Sequence, residues 1–184
     1  MTLAKKPIGL IPIGDIPEIT SKSIAAHILG YYNLDVDILS HQEHPAYAYD
    51  EKRMQYNAGD ILQAIESGFP ENYEKVLAVV DVDIFVPILT HVFGEAFQGG
   101  CCALVSIYRL KRNSDGSTAQ ESLYLERAAK VALHELGHLL NLRHCMDGTC
   151  LMHFSGGLED LDHAPFHFCR HCSVFLQDAL HRLP

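Results

Sequence analysis

Apolar and polar positions follow one another in a strand–helix order along the first two thirds of the chain. Apolar runs at 7–14, 34–39 and 75–86 are typical of strands. The last of these, KVLAVVDVDIFV, is nearly continuous, as in a strand covered on both faces of a sheet. Apolar residues at helical spacing predict helices over 20–32 and 55–67. This order favours an α/β (or α+β) fold with helices packed on a sheet.

The pattern becomes glycine-rich after residue 87. The segment 90–100 (THVFGEAFQGG) predicts a strand near a sheet edge, and 101–110 predicts another strand. Thr118 and Glu121 have capping-box spacing, which would begin a long helix ending near Leu140. We therefore expect a single domain over residues 1–184. Its N-terminal subdomain would reach about residue 140, and a small C-terminal subdomain would cover about 141–184.

Composition and charge argue against nucleic acid and membrane as partners. The 184 residues include 23 acidic and 14 basic ones, a net charge of -9, which disfavours nucleic acid as a partner. The longest segments without Asp, Glu, Lys or Arg are 23–34 and 96–108, too short to span a membrane. Because the first residues lack the sustained apolar run of a signal peptide, we expect a cytoplasmic protein. The sequence does not define an oligomeric state.

The predicted long helix carries the segment His134-Glu135-Leu136-Gly137-His138. Histidines four residues apart lie about 40° apart around a helix and about 6 Å along it, a suitable spacing for one zinc ion. An apolar stripe opposite them would bury the other helix face. Glu135 projects about 100° from His134, close enough to accept a proton from a water at the metal. The alternative is a chance occurrence of these residues on an amphipathic helix.

His144 is the candidate third ligand of this zinc. It lies six residues beyond His138, so it cannot share the same face of a straight helix. The helix must end near residue 140, and the chain must then turn back. Asn141 occupies the position where positive φ is needed, and asparagine tolerates that conformation better than most residues.

Four cysteines form a second candidate metal site. Cys145 and Cys150 are separated by four residues, and Cys169 and Cys172 by two. Two close pairs of thiolates are typical of a closed, structural zinc site, so we expect two zinc ions per chain. The alternatives are two disulfides or four free thiols; a reducing compartment favours zinc over disulfides. Because Cys145 follows His144 directly, one zinc would anchor the segment that presents the other zinc's third ligand.

The combined pattern over residues 134–172, HExxHxxNxxHC-x4-C-x-M…CxxC, resembles the archaemetzincins, a metzincin-like family of zinc proteases. Asn141 departs from the glycine that metzincin motifs carry at this turn. The resemblance implies a metzincin-like N-terminal subdomain in which helices pack on a twisted mixed sheet and the helix with the HExxH segment comes last. A small C-terminal subdomain, held together by the second zinc, would follow. It also implies that an edge strand lines the cleft and pairs with substrate. The site residues implied are His134, His138 and His144 for the catalytic zinc, Glu135 as general base, Met152 in the Met-turn, Cys145, Cys150, Cys169 and Cys172 for the second zinc, and Phe93, Gly94, Glu95 and Ala96 in the edge strand.

The sequence therefore predicts a zinc metallopeptidase that acts on a peptide or protein substrate. The alternative is a non-catalytic two-zinc module that binds peptides or proteins. Glu135 favours the enzyme, since binding alone requires no base at that position. Four other histidines of the C-terminal region are expected not to bind metal: His153, His163, His167 and His171.

Overall fold

A mixed sheet organises the chain in the computed structural model, which describes residues 6–69 and 72–183. The first five residues, which belong to the segment assessed above for a signal peptide, lie outside the described residues. In chain order the elements are β1 (Ile8–Ile13), α1 (Glu18–Tyr32), β2 (Val36–Ile38), β3 (Tyr49–Asp50), β4 (Gln55–Asn57), α2 (Ala58–Ser67), β5 (Val76–Val80), β6 (Ile84–Phe85), β7 (Gly94–Ala96), β8 (Cys102–Ser106), α3 (Glu121–Leu139), α4 (Leu158–His163) and α5 (Arg170–Arg182).

The larger sheet has the strand order β2-β1-β5-β8-β7. The first four strands run parallel, and β7 pairs antiparallel with β8 at the outer edge. All residues of β5 and β8 are buried, as expected for strands covered on both faces. A second, smaller sheet has the order β3-β4-β6. The mixed α/β fold predicted from the sequence is confirmed.

Helices cover both faces of the larger sheet and define two cores. On one face α1 and α3 pack against side chains such as Leu77 and Val105. On the other face α2 packs against their neighbours Ala78 and Leu104. Because successive strand residues point to opposite faces, this alternation fixes the direction of every side chain in β8. By pairing with β8, the edge strand β7 acquires the same alternation.

Three local predictions were wrong. The helix predicted over 55–67 begins only at Ala58, because residues 55–57 form β4. The run 75–86 forms two strands, β5 and β6, which belong to different sheets. The break follows from polar contacts of Asp83, which accepts two hydrogen bonds from Arg109 at 2.6 and 2.7 Å and one from Gln55 at 3.0 Å. The capping box is also not formed: Gln120 caps α3 without a side-chain hydrogen bond, and Thr118 forms an isolated bridge with Arg112.

Two buried cations of α3 anchor the C-terminal segment. Arg127 is 2% exposed and donates to both carboxylate oxygens of Asp162 in α4, at 2.6 and 2.7 Å. The Lys130 ammonium donates to the carbonyls of Leu161 and Asp162, each at 3.2 Å. These bonds hold α4 against the helix that carries the candidate zinc ligands. None of the helices in the described part of the chain combines the length and apolar character that crossing a membrane requires.

Candidate active site and metal centres

The last two turns of α3 bring the first two predicted zinc ligands together. The Nε2 atoms of His134 and His138 lie 3.1 Å apart. Nitrogens bound about 2.0–2.1 Å from a tetrahedral zinc ion lie about 3.4 Å from each other. The observed separation is close to this value, so the pair fits a single zinc ion with little adjustment.

A tight turn after α3 brings the third histidine to the same point. The amide of Asn141 donates to the carbonyl of His138, and the amide of Leu142 donates to that of Gly137, each at 2.9 Å. This is a Schellman turn, which requires a left-handed residue. Asn141 has φ 66°, which confirms the predicted conformation. As a result, one ring nitrogen from each of His134, His138 and His144 lies within 4.8 Å of the others.

Backbone carbonyls orient the first two imidazoles. The Nδ1 atoms of His134 and His138 lie 2.8 Å from the carbonyls of Leu151 and Leu142. A carbonyl oxygen only accepts, so Nδ1 carries the proton and Nε2 keeps its lone pair for a metal. Burial, followed by the neighbouring His138, lowers the pKa of His134 to about 3, which also keeps the ring neutral. These two contacts could not be predicted from the sequence, because every residue has a carbonyl group and only the fold determines which one lies beside each ring.

Glu135 packs against the edge strand, and both line a groove of about 1150 Å³. Its side chain is buried, and a Cβ atom added at Gly94 would lie 2.6 Å from Glu135 Oε1. Only glycine at position 94 therefore leaves the carboxylate where it is. Burial raises the pKa of Glu135 well above its usual value, and the negative charge of Glu95 adds to this effect.

The four residues predicted to bind substrate all line this groove. Gly94, Glu95 and Ala96 form β7, whereas Phe93 precedes the strand and is buried in the core. The structure thus places the edge strand beside the histidine cluster, on the same groove as Glu135.

Met152 packs directly beneath α3. The residue is fully buried, and its Sδ atom would lie 2.5 Å from a Cβ at Gly137. Glycine between the two histidines therefore allows the close approach of the Met152 segment. On the same side, the Tyr32 hydroxyl donates a hydrogen bond to the carbonyl of Leu133, an interaction that the sequence did not reveal.

The four predicted cysteines form the second cluster, with sulfur atoms all within 4.8 Å of one another. Cys145 Sγ and Cys169 Sγ lie 3.8 Å apart, which matches about 3.8 Å for two sulfurs bound 2.3 Å from a tetrahedral zinc and is far longer than a disulfide. The amide of Cys172 donates to Cys169 Sγ, and this bond is the main cause of the lowered pKa of Cys169. The cluster therefore fits a tetrahedral metal.

The other histidines of this region have different contacts. The ring of His153 lies 2.9 Å from the carbonyl of Cys145, and that of His163 lies 2.7 Å from the carbonyl of Glu159. The ring of His171 packs against Phe175. Over residues 6–69 and 72–183, only the three-histidine and four-cysteine groups gather enough ligands to hold a metal.

Comparisons with known proteins identify the family of this chain. The family described as "Peptidase family M54" matches residues 29–178. The archaemetzincin of Halobacterium salinarum is 32% identical over 90% of this chain and 96% of its own, and that of Pyrococcus furiosus is 34% identical over 95% and 94%. The crystal structure of the archaemetzincin from Methanopyrus kandleri superposes with a TM-score of 0.81 at 32% identity, covering 99% of this chain and 100% of that one. The chain therefore belongs to peptidase family M54, the archaemetzincin family of zinc metallopeptidases.

Proposed function

We propose that His134, His138 and His144 bind one zinc ion and that Glu135 is the general base of peptide hydrolysis. The observation that carries this proposal is the convergence of three imidazoles beside a buried carboxylate that faces an open edge strand. Neutral imidazoles suit zinc as ligands. When bound, zinc supplies a Lewis acid that polarises the substrate carbonyl and lowers the pKa of water.

Glu135 moves the proton in both halves of the reaction. Its carboxylate takes a proton from the attacking water while the new carbon–oxygen bond forms. It then delivers that proton to the amide nitrogen as the carbon–nitrogen bond breaks, so the carboxylate is regenerated. A carboxylate suits this role because it can accept a proton from water and return it to the leaving amine.

The substrate is a peptide segment that pairs with the outer edge of β7. This edge strand is bonded to β8 on one side only. Such an edge presents free backbone donors and acceptors, which an extended peptide can satisfy by adding as a further strand. Because Gly94 points at Glu135, a peptide bond held along this edge would lie next to the general base.

We also propose that Cys145, Cys150, Cys169 and Cys172 bind a second, structural zinc ion. The amide of Cys145 donates to the carbonyl of Met152 at 2.8 Å, which links the cysteine cluster to the segment beneath α3. Because His144 precedes Cys145, this zinc would hold the third histidine in place. The small subdomain proposed for residues 141–184 would depend on it for folding, because structural zinc contributes directly to stability.

Zinc analysis combined with peptide-library cleavage tests both assignments. We expect two zinc ions per chain, and we expect Glu135→Gln to keep both while losing cleavage. Glu121→Gln removes an exposed carboxylate from the first turn of the same helix and should retain cleavage. Undiminished cleavage by Glu135→Gln would contradict its role as base. A single zinc in fully loaded protein would contradict the two-site assignment.

A further inference from the structure

Glu95 points to the opposite side of the edge strand from Gly94. Gly94 pairs with Val105 and Glu95 pairs with Leu104. Val105 belongs to the core under α3, whereas Leu104 belongs to the core under α2. The Glu95 carboxylate therefore lies on the α2 side of β7, while the next residue along the strand faces the general base.

The charge of Glu95 is not neutralised by the protein. Within the described residues, no Lys, Arg or His forms an ion pair with Glu95, and no hydrogen bond reaches its carboxylate. Burial raises the pKa of Glu95, which means that the charged form is incompletely solvated. By contrast Lys130, a cation that lines the same groove, is already paired with Glu126 at 2.7 Å. Glu95 is thus an unpaired anion on the wall of the groove.

We propose that Glu95 selects substrates with a Lys or Arg side chain at the residue that pairs with it across the edge of β7. This inference rests on the proposed function, since it assumes a peptide paired with β7. Residues directly opposite in neighbouring strands place their side chains on the same face, and opposite charges there attract. A basic side chain at that substrate position would lie beside Glu95, on the α2 side. It would be adjacent in sequence to the substrate residue that faces Glu135.

Peptide binding tests this without relying on catalysis. Zinc-loaded Glu135→Gln protein is titrated, by fluorescence anisotropy, into labelled peptides with both ends blocked. Each carries one lysine, moved through the sequence, or norleucine at the same position. We expect lysine at one position to tighten binding about tenfold, or 1.4 kcal/mol. This preference should weaken as salt is added, because the groove is open to solvent.

Two further substitutions in the same background assign the preference to one carboxylate. Glu95→Gln should abolish the difference between lysine and norleucine without lowering the thermal unfolding temperature. Glu43→Gln removes an exposed carboxylate that follows β2, at the opposite edge of the sheet, and should retain the preference. Binding without a lysine preference, a preference that survives Glu95→Gln, or no binding of any peptide would overturn the proposal.

Cleavage by protein with intact Glu135 separates this inference from the proposed function. Lysine-dependent binding without any cleavage would contradict the role of Glu135 and support the selection by Glu95. Cleavage with no preference for a basic residue would support the role of Glu135 and contradict the selection by Glu95.

Discussion

Replacing Asn141 with valine should destabilise the protein and weaken metal binding by the three histidines. Asn141 has φ 66°, a conformation that costs an ordinary residue about 1–2 kcal/mol. A branched β-carbon adds to this cost. The substitution also removes the hydrogen bond from Gln98 Nε2 to Asn141 Oδ1, which is 3.2 Å long, exposed and worth about 0.5 kcal/mol. The expected loss of unfolding free energy is therefore about 2–3 kcal/mol.

Asn141→Gly is the matched control for the turn. It loses the same hydrogen bond to Gln98, but glycine adopts positive φ without strain. The stabilisation from relieving this strain offsets two destabilising effects, the loss of the hydrogen bond and the larger conformational entropy of glycine in the unfolded chain. We expect its unfolding free energy to stay within about 0.5 kcal/mol of the wild type.

Urea unfolding of the zinc-loaded proteins and competition with a chelator measure the two effects. Because His144 lies three residues beyond the turn, strain in the valine variant should displace it from the other two ligands. Each 1.4 kcal/mol transferred to the metal site weakens zinc binding about tenfold. Equal unfolding free energies and equal zinc affinities in the glycine and valine variants would refute the reasoning, since the left-handed turn would then not position His144.

Three further predictions concern catalysis, the second zinc and pH. Gly94→Ala should lower kcat about 100-fold by displacing Glu135, with zinc content unchanged; an unaltered kcat would be inconsistent with the close approach of these residues. Cys169→Ser should reduce zinc from two ions to one and lower the melting temperature, as metal analysis and calorimetry can show. Asp162→Asn should cost about 2–3 kcal/mol at neutral pH because it leaves Arg127 buried without its partner. Arg127 lowers the pKa of Asp162 in the folded state. The extra unfolding free energy of the wild type is therefore fully present above about pH 4, and it is lost as the pH falls through the folded-state pKa of Asp162. A difference between the two proteins that does not shrink in acid would count against the ion pair.

The sequence predicted the parts of the site that depend on local geometry. Spacing of four residues on a helix determines the distance between His134 and His138, whatever surrounds that helix. The left-handed turn at Asn141 could be predicted because the position of His144 requires the chain to reverse. The buried strand β5 was predicted from its continuous apolar run, since such a run is typical of a strand between two covering layers.

Tertiary contacts decided what local pattern could not. The run 75–86 reads as one strand, yet it divides because Asp83 is bound by Arg109, which is distant in the sequence. The approach of Gly94 to Glu135, the carbonyl of Leu151 that orients His134, and the unpaired charge of Glu95 all depend on how separate elements pack. Hydrophobic periodicity indicates which face of a helix or strand is buried, but it does not indicate which residues of another element pack against that face. The sequence therefore predicted which residues are the proposed ligands and base, and only the packing of α3 against β7 and the C-terminal segment created the groove that they line.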